Sequence, residues 1–154
     1  MVEIAISQAA PDYAVQFLFT VTSTRLRASF SKISGIREEI EVVDMRDGLD
    51  PLQTRKIPGP HAGAVVTFSR GVTEHAIDIP KWFNAVKACE KDFRDDVAVS
   101  VGNCSRTAIR SFALRRAWPI SYELGELDGR TSGILVESLS LAFETLDFAG
   151  SGGF

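Results

Sequence analysis

The sequence predicts a mainly β protein, an antiparallel β-barrel or sandwich with one flanking α-helix. Three observations carry that prediction. Tyr13, Val15, Phe17, Phe19 and Val21 alternate with less apolar neighbours, the period of a half-buried strand, and similar runs recur along the chain. Only the stretch that begins at Asp78 and Pro80 has strong helical spacing. Several strands are long and apolar in both phases, which leaves edges that closure or assembly must protect.

The 154 residues fit one domain with a sizeable core. Residues 1–11 read as an N-terminal arm and 149–154, glycine-rich, as a flexible tail. With 45% hydrophobic and 24% charged residues the composition is that of a soluble globular protein. A net charge of −3 disfavours nonspecific nucleic-acid binding by the whole-molecule field. The opening MVEIAISQAAPDY has neither the basic nor the apolar region of a secretory signal. No apolar run approaches the roughly 20 residues of a membrane helix. The expectation is a protein with no membrane anchor, made and folded in the cytoplasm and open to later release by lysis. Cys89 and Cys104 read as reduced thiols, and Cys89 falls on the apolar side of the expected helix. Neither has a second Cys or a His at ligand spacing, so no metal site is expected.

Taken in order, the first strand ends in a polar turn, Thr22 to Arg25, and Leu26, Ala28 and Phe30 continue as the second arm of a hairpin. Ser34-Gly35 breaks it. From Ile36 to Val43, Ile36, Ile40 and Val42 share one face while Arg37, Glu39 and Glu41 share the other. Met45 to Gly71 then reads as a charged turn, a long irregular loop with rigid turn chemistry at Pro58-Gly59-Pro60, an apolar strand with Ala64, Val66 and Phe68 on one face, and a turn at Arg70-Gly71. Such a loop suits an arm that reaches for a partner. Asp78 is the expected N-cap of the helix, Pro80 sits in its first turn, and Trp82, Val86 and Cys89 form its inner stripe. Val97 to Val101 is a short strand. Thr107 to Trp118 is a long one, ended or bent by Pro119. Tyr122 to Ser132 is a loop. Gly133 to Phe148 is the last long strand, apolar in both phases apart from Glu137, and covered on both sides by core or by another subunit.

Chemistry is conspicuous by its lack of motifs. The sequence contains no GxSxG, HExxH, GxxxxGK[ST] or GxGxxG, and its two histidines, His61 and His75, have no evident nucleophile beside them. Asp95-Asp96 reads as a solvated turn. No enzyme activity, catalytic residue or cofactor is expected. Arg106, Arg110, Arg115 and Arg116 make the strongest basic cluster, with no aromatic platform for single strands. Glu39 and Glu41 against Arg110, Arg115 and Arg116 is the expected subunit interface or lumen pairing, within or between copies.

The order of these segments resembles a known family. Phe30 to Gly35, the charged turn MRDG (Met45 to Gly48), TRKIPGP, the SRG strand end (Ser69 to Gly71), PKWFN (Pro80 to Asn84), LRRAWPISYE (Leu114 to Glu123) and VESLSLAFETLDF follow one another as in the phage T4-like tail tube family. That family includes the inner-tube proteins of extracellular contractile injection systems. The match runs from about Asp12 to Phe148. The resemblance implies a tail-tube-like fold and a structural role. Six subunits would close a ring, rings would stack into a hollow rigid tube, and sheath contraction would drive the tube through a target envelope. It also implies that the long loop contacts the adjacent ring, through Arg46, Asp47, Arg55, Lys56, Pro58 and Gly59. Implied partners are further copies of the chain, a sheath protein, baseplate or spike and terminator proteins, and cargo in the lumen. The residues before the first strand and the glycine-rich tail also fit a baseplate-proximal initiator or adaptor ring of the same fold. A monomeric ligand-binding β-barrel, with the loop at its mouth, is the remote alternative.

Overall fold

The computed structural model describes residues 19–26, 30–46, 48, 54–72, 77–103, 105–130 and 132–150. Its elements are β1 (Phe19–Thr22), β2 (Lys32–Ser34), β3 (Glu39–Met45), β4 (Arg55–Ala62), β5 (Val65–Gly71), α1 (Asp78–Lys87), β6 (Asp95–Gly102), β7 (Ala108–Leu124), β8 (Val136–Ala142) and β9 (Thr145–Gly150). The fold is mainly β, all strand pairs are antiparallel, and one helix flanks them. A seven-stranded sheet runs β1-β6-β7-β8-β5-β2, with β9 also on β7, and β3-β4 form a separate two-stranded sheet.

β7 is the spine. It does not end at Pro119 but continues to Leu124, because Pro119 falls at a register shift against β8, where a missing N–H costs no ladder bond. Tyr122 is therefore strand, not loop. β9 pairs with the first half of β7, from Arg115↔Thr145 to Arg110↔Gly150, and β8 with the second, from Trp118↔Ala142 to Leu124↔Glu137. The expected last strand is thus two strands laid end to end along β7. It runs on through Ala149 and Gly150, which the sequence had given to the tail.

This division explains the apolar residues in both phases. Leu139, Leu141 and Phe143 are buried before the join, and Leu146 after it. In β7, Leu114 is buried before the same level, and Ala117 and Pro119 after it. Arg116 lies between with φ 53°, and β6 skips from Leu114 to Ala117 in register. An extra residue at that level swaps the face that the strand turns inward, as a β-bulge does. One long hairpin thereby lines two halves of one core, with a different phase in each.

That core joins Leu26, Phe30, Val66, Phe68, Val97, Val99, Leu114, Leu139, Leu141 and Leu146 to Ile79 and Trp82 of α1. Trp82 Nε1 donates to Phe93 O at 2.6 Å, so the indole is buried with its N–H satisfied. The expected hairpin of the first two strands falls partly on residues 13–18 and 27–29, which lie outside the described residues. β1 pairs with β6 and β2 with β5, and Leu26 and Phe30 serve as core side chains in the connection. Asp95, at the start of β6 and not in a turn, holds that connection: Oδ2 accepts from Thr24 Oγ1 at 2.7 Å and from the Arg25 N–H at 3.1 Å. Burial works against the Asp95 charge, but these bonds and those from Ser23 and Asp96 hold its pKa below the usual carboxylate range.

Asp78 opens α1 but does not cap it. The N-cap position is Ile77, without a side-chain bond. The helix stops at Lys87, so Cys89 is not on its inner stripe but exposed just past the end. Cys89 has φ 52°, its N–H donates to Val86 O at 3.0 Å, and the Glu90 N–H donates to Ala85 O at 3.2 Å. This is a Schellman ending with cysteine where glycine is usual.

Candidate assembly surface

In the stretch read as an irregular loop, Arg55–Ala62 is a strand, β4, of a two-stranded β-ribbon, while Asp47 and residues 49–53 lie outside the described residues. β4 pairs with β3 from Met45↔Arg55 to Glu39↔Ala62, and among the described residues neither strand pairs with any other. Pro58 and Pro60 are tolerated there because β4 has a partner on one side only. The register shifts between Ile40 and Val42, opposite Gly59 and Pro60. A side chain at Gly59 would meet Glu41 O at 2.9 Å, so glycine suits the irregularity. At the root, Gly35 has φ 85°, and a side chain there would meet Val65 O at 2.6 Å. The chain leaves β2 through a conformation that glycine adopts readily.

The ribbon is apolar yet uncovered. Ile40 is 52% exposed, Val42 58% and Met45 54%, and Val43 and Ile57 are exposed as well. Directly paired residues point to the same side of a sheet. Ile40, Val42 and Pro58 therefore share one face, and Val43, Met45 and Ile57 the other. A lone two-stranded ribbon is marginal in water. A ribbon apolar on both faces has the composition of a strand pair that is to be covered.

Arg55, Lys56, Pro58 and Gly59 lie on β4, Arg46 directly follows β3, and Asp47 lies outside the described residues. Lys56 Nζ meets Asp44 Oδ1 at 2.9 Å across the two strands. Glu39 and Glu41 are exposed on β3, with Arg37 at 3.5 Å from Glu39. His61 is on β4, exposed, with Nδ1 at 3.6 Å from Glu38. His75 and Cys104 lie outside the described residues.

The basic cluster does not meet Glu39 and Glu41 within the chain. Arg115 lies between Asp147, at 2.7 Å from Nε, and Asp96, at 3.0 Å from Nη1. The hydrogen bonds that Arg115 donates to Asp147 and Asp96 raise its pKa. Asp96 also accepts the Arg116 N–H at 2.9 Å, the first cause of its own lowered pKa. Arg116 Nε meets Glu144 at 3.0 Å, and Arg94 meets the same carboxylate. These partners belong to β6, β9 and the join before β9, which run beside β7, whereas β3 is in the separate ribbon. Arg110 is exposed and makes no ion pair among the described residues.

The sequence reading missed a buried ionic group beneath the sheet. Arg70, placed in a turn, is in β5 and 5% exposed; its direct partner Glu137 on β8 is 1% exposed. Arg70 Nε donates to Glu137 Oε1. Nη2 reaches Asp78 Oδ1 at 2.5 Å and Nη1 reaches Oδ2 at 3.3 Å. Tyr122 donates to Glu137 Oε2 at 2.8 Å, and the guanidinium lies 5.6 Å from the Phe30 ring centroid. Burial opposes the Arg70 charge, but its bonds to Asp78 and Glu137 win and raise its pKa. The same bonds outweigh burial at Asp78 and lower it. Burial and the bond to Glu137 push the Tyr122 phenol up to about 12. Every polar atom buried here has a partner. The group ties α1 to β5, β7 and β8, which is fastening rather than catalysis. The available signal was a basic and an acidic residue each standing on the apolar phase of a strand.

Comparison with known proteins agrees with the architecture. The family model described as T4-like virus tail tube protein gp19 matches residues 13–147. No curated protein matches the chain. Among solved structures, a chain of the anti-feeding prophage tube-terminating cap superposes with a TM-score of 0.81 at 22% identity, covering 97% of this chain and 99% of that one. A chain of the sheath–tube complex of an extracellular contractile injection system, PVC, in the extended state gives 0.77 at 20% identity, covering 96% and 95%. Hcp1 from Flavobacterium johnsoniae gives 0.52 at 14%, covering 90% and 98%. These likenesses show a shared fold, and the family match over nearly the whole length adds descent: the chain belongs to the T4-like virus tail tube protein gp19 family.

Proposed function

We propose that the chain is a structural subunit of the inner tube of a contractile tail or extracellular contractile injection system. Six copies close a ring, and rings stack into a hollow tube that a contracting sheath drives through a target envelope. The observation that carries this reading is the β3–β4 ribbon, with exposed apolar side chains on two faces and no other strand paired to it among the described residues. No bond is made or broken in this task. The protein contributes rigidity and the free energy of covering apolar surface between copies, and obligate interfaces of that kind typically bury on the order of 2,000 Å² or more. The sheath, the baseplate or spike and the terminator are partners on this reading, with cargo in the lumen. Arg46, Asp47, Arg55, Lys56, Pro58 and Gly59 form the ring-to-ring contact. Assembly takes place in the bacterial cytoplasm, with release by lysis.

The match to a tube-terminating cap over 99% of that chain supports a second reading, a ring that begins or ends a tube and does not polymerise alone. Electron microscopy of the purified chain at rising concentration separates the two. Hollow stacks of indefinite length are expected for the tube subunit. Single rings that never stack would transfer the chain to the end-ring role, and a persistent monomer would count against both.

A further inference from the structure

Met45 is the one methionine among the described residues, and the fold leaves its thioether open to solvent. We propose that Met45 is an oxidation site: a peroxide converts its side chain to the sulfoxide in the unassembled chain, and the modified chain no longer stacks. The effect on stacking rests on the tube reading above; the oxidation itself does not.

Three observations lead there. The first is access. Met45 ends β3 and is 54% exposed, in a ribbon that no other strand joins among the described residues. Hydrogen peroxide can therefore reach the sulfur. The sulfur lone pair attacks one peroxide oxygen, an S–O bond forms and the O–O bond breaks. The sulfur loses two electrons, and the second oxygen takes up the proton and leaves as water. The second observation is the surroundings. Val43 pairs with Ile57 and Met45 with Arg55, and directly paired and alternate residues share a face of a sheet. The thioether thus belongs to an exposed apolar patch with Val43 and Ile57. Oxidation turns a flexible apolar side chain into a polar one in the middle of that patch, and a polar group buried without its hydrogen bonds opposes the burial.

The third observation is the register. Arg55 lies directly opposite Met45, so the two side chains start roughly 5 Å apart. A thioether is only a weak acceptor for the guanidinium, whereas a sulfoxide oxygen is a strong one. The oxidised form is therefore favoured on the exposed ribbon, in a hydrated pairing that covering the face would strip of water. Cys89 is the other exposed sulfur, but it lies past the end of α1 and not on the ribbon. The first oxidised form of a thiol is also reversed by thiols, whereas a methionine sulfoxide needs its own reductases. Order then matters. A chain oxidised before assembly brings the sulfoxide to the contact, while a stacked chain has its ribbon covered and its sulfur out of reach. Stacking becomes dependent on the redox state of the compartment in which it happens.

The test treats the dilute full-length chain with hydrogen peroxide, maps oxidised peptides by mass spectrometry, and follows stacking by sedimentation and electron microscopy. One added oxygen on Met45 is expected, with at least a tenfold rise in the concentration needed for stacking. Dithiothreitol alone is expected not to restore stacking, and dithiothreitol with methionine sulfoxide reductases to restore it. Met45→Leu is expected to stack like the parent before and after peroxide, and Met45→Gln, polar at the same place, to stack poorly without it. Stacks formed before treatment are expected to keep Met45 unoxidised. An unmodified Met45 in the dilute chain would overturn the site. Normal stacking by the sulfoxide form, or equal loss of stacking by peroxide-treated Met45→Leu, would overturn its effect. A parent that never stacks fails the tube reading and with it the effect on stacking, while the peptide map still decides the site.

Discussion

At the scale of single residues, the Arg70 group shows how a charge is kept inside a small β protein. Arg70 has two carboxylates and Tyr122 completes the bonding of Glu137. Breaking one partner of a buried pair leaves an uncompensated charge, whereas replacing both with apolar residues is far less costly. Arg70→Met is therefore expected to lower stability by about 3–5 kcal/mol, and Arg70→Met/Glu137→Leu by clearly less, measured by denaturant unfolding. A double variant as unstable as the single one, or more so, would mean that packing, not charge, fastens α1. Tyr122 gives an independent readout. Its folded pKa, about 12, lies above the ordinary value of 10.0, so the folded chain holds this proton more tightly. Its contribution to stability is complete below pH 10 and lost as pH rises towards 12. In Tyr13→Phe, where Tyr122 is the remaining tyrosine, the phenolate absorbance should rise near pH 12 in the folded state. A midpoint at the ordinary value would remove Glu137 as its partner.

At the scale of elements, alternation was easy to read and its interruptions were not. The strand at Val66 and Phe68, the short strand at Val97 to Val101 and the helix around Trp82 were legible because each keeps one period for its whole length. The β8–β9 join was not, because Phe143 and Leu146 are both inward and no local residue type announces the swap. Pro58 and Pro60 misled for a physical reason. Proline signals a turn in an ordinary sheet, but a one-sided partner leaves the other edge of β4 without need of N–H donors. Arg55 and Lys56 were read as part of a loop and lie on strand β4, while Arg70 was lost because a charge beside Gly71 looks like a turn. The helix end offers a test at this scale. Cys89 occupies a left-handed conformation at φ 52°, which costs a non-glycine residue roughly 1–2 kcal/mol. Cys89→Gly should therefore stabilise the chain by about 1 kcal/mol, although substitution by glycine usually destabilises. A lower melting temperature would show that the exposed Cys89 side chain makes a contact of its own.

At the scale of the whole molecule, the chain divides its labour. The seven-stranded sheet and α1 enclose a core that covers their inward apolar side chains and partners even the buried charges. The ribbon's apolar side chains find no cover in the described structure. In a family of tail tube proteins, that imbalance is what assembly would correct. Amide hydrogen exchange, followed peptide by peptide in the dilute chain and in its concentrated assemblies, tests this most directly. Rapid exchange is expected across 39–45 and 55–62 in the dilute chain, with strong protection of both strands on assembly and little change across the already protected β7 core. Ribbon amides that exchange equally fast before and after assembly would contradict it.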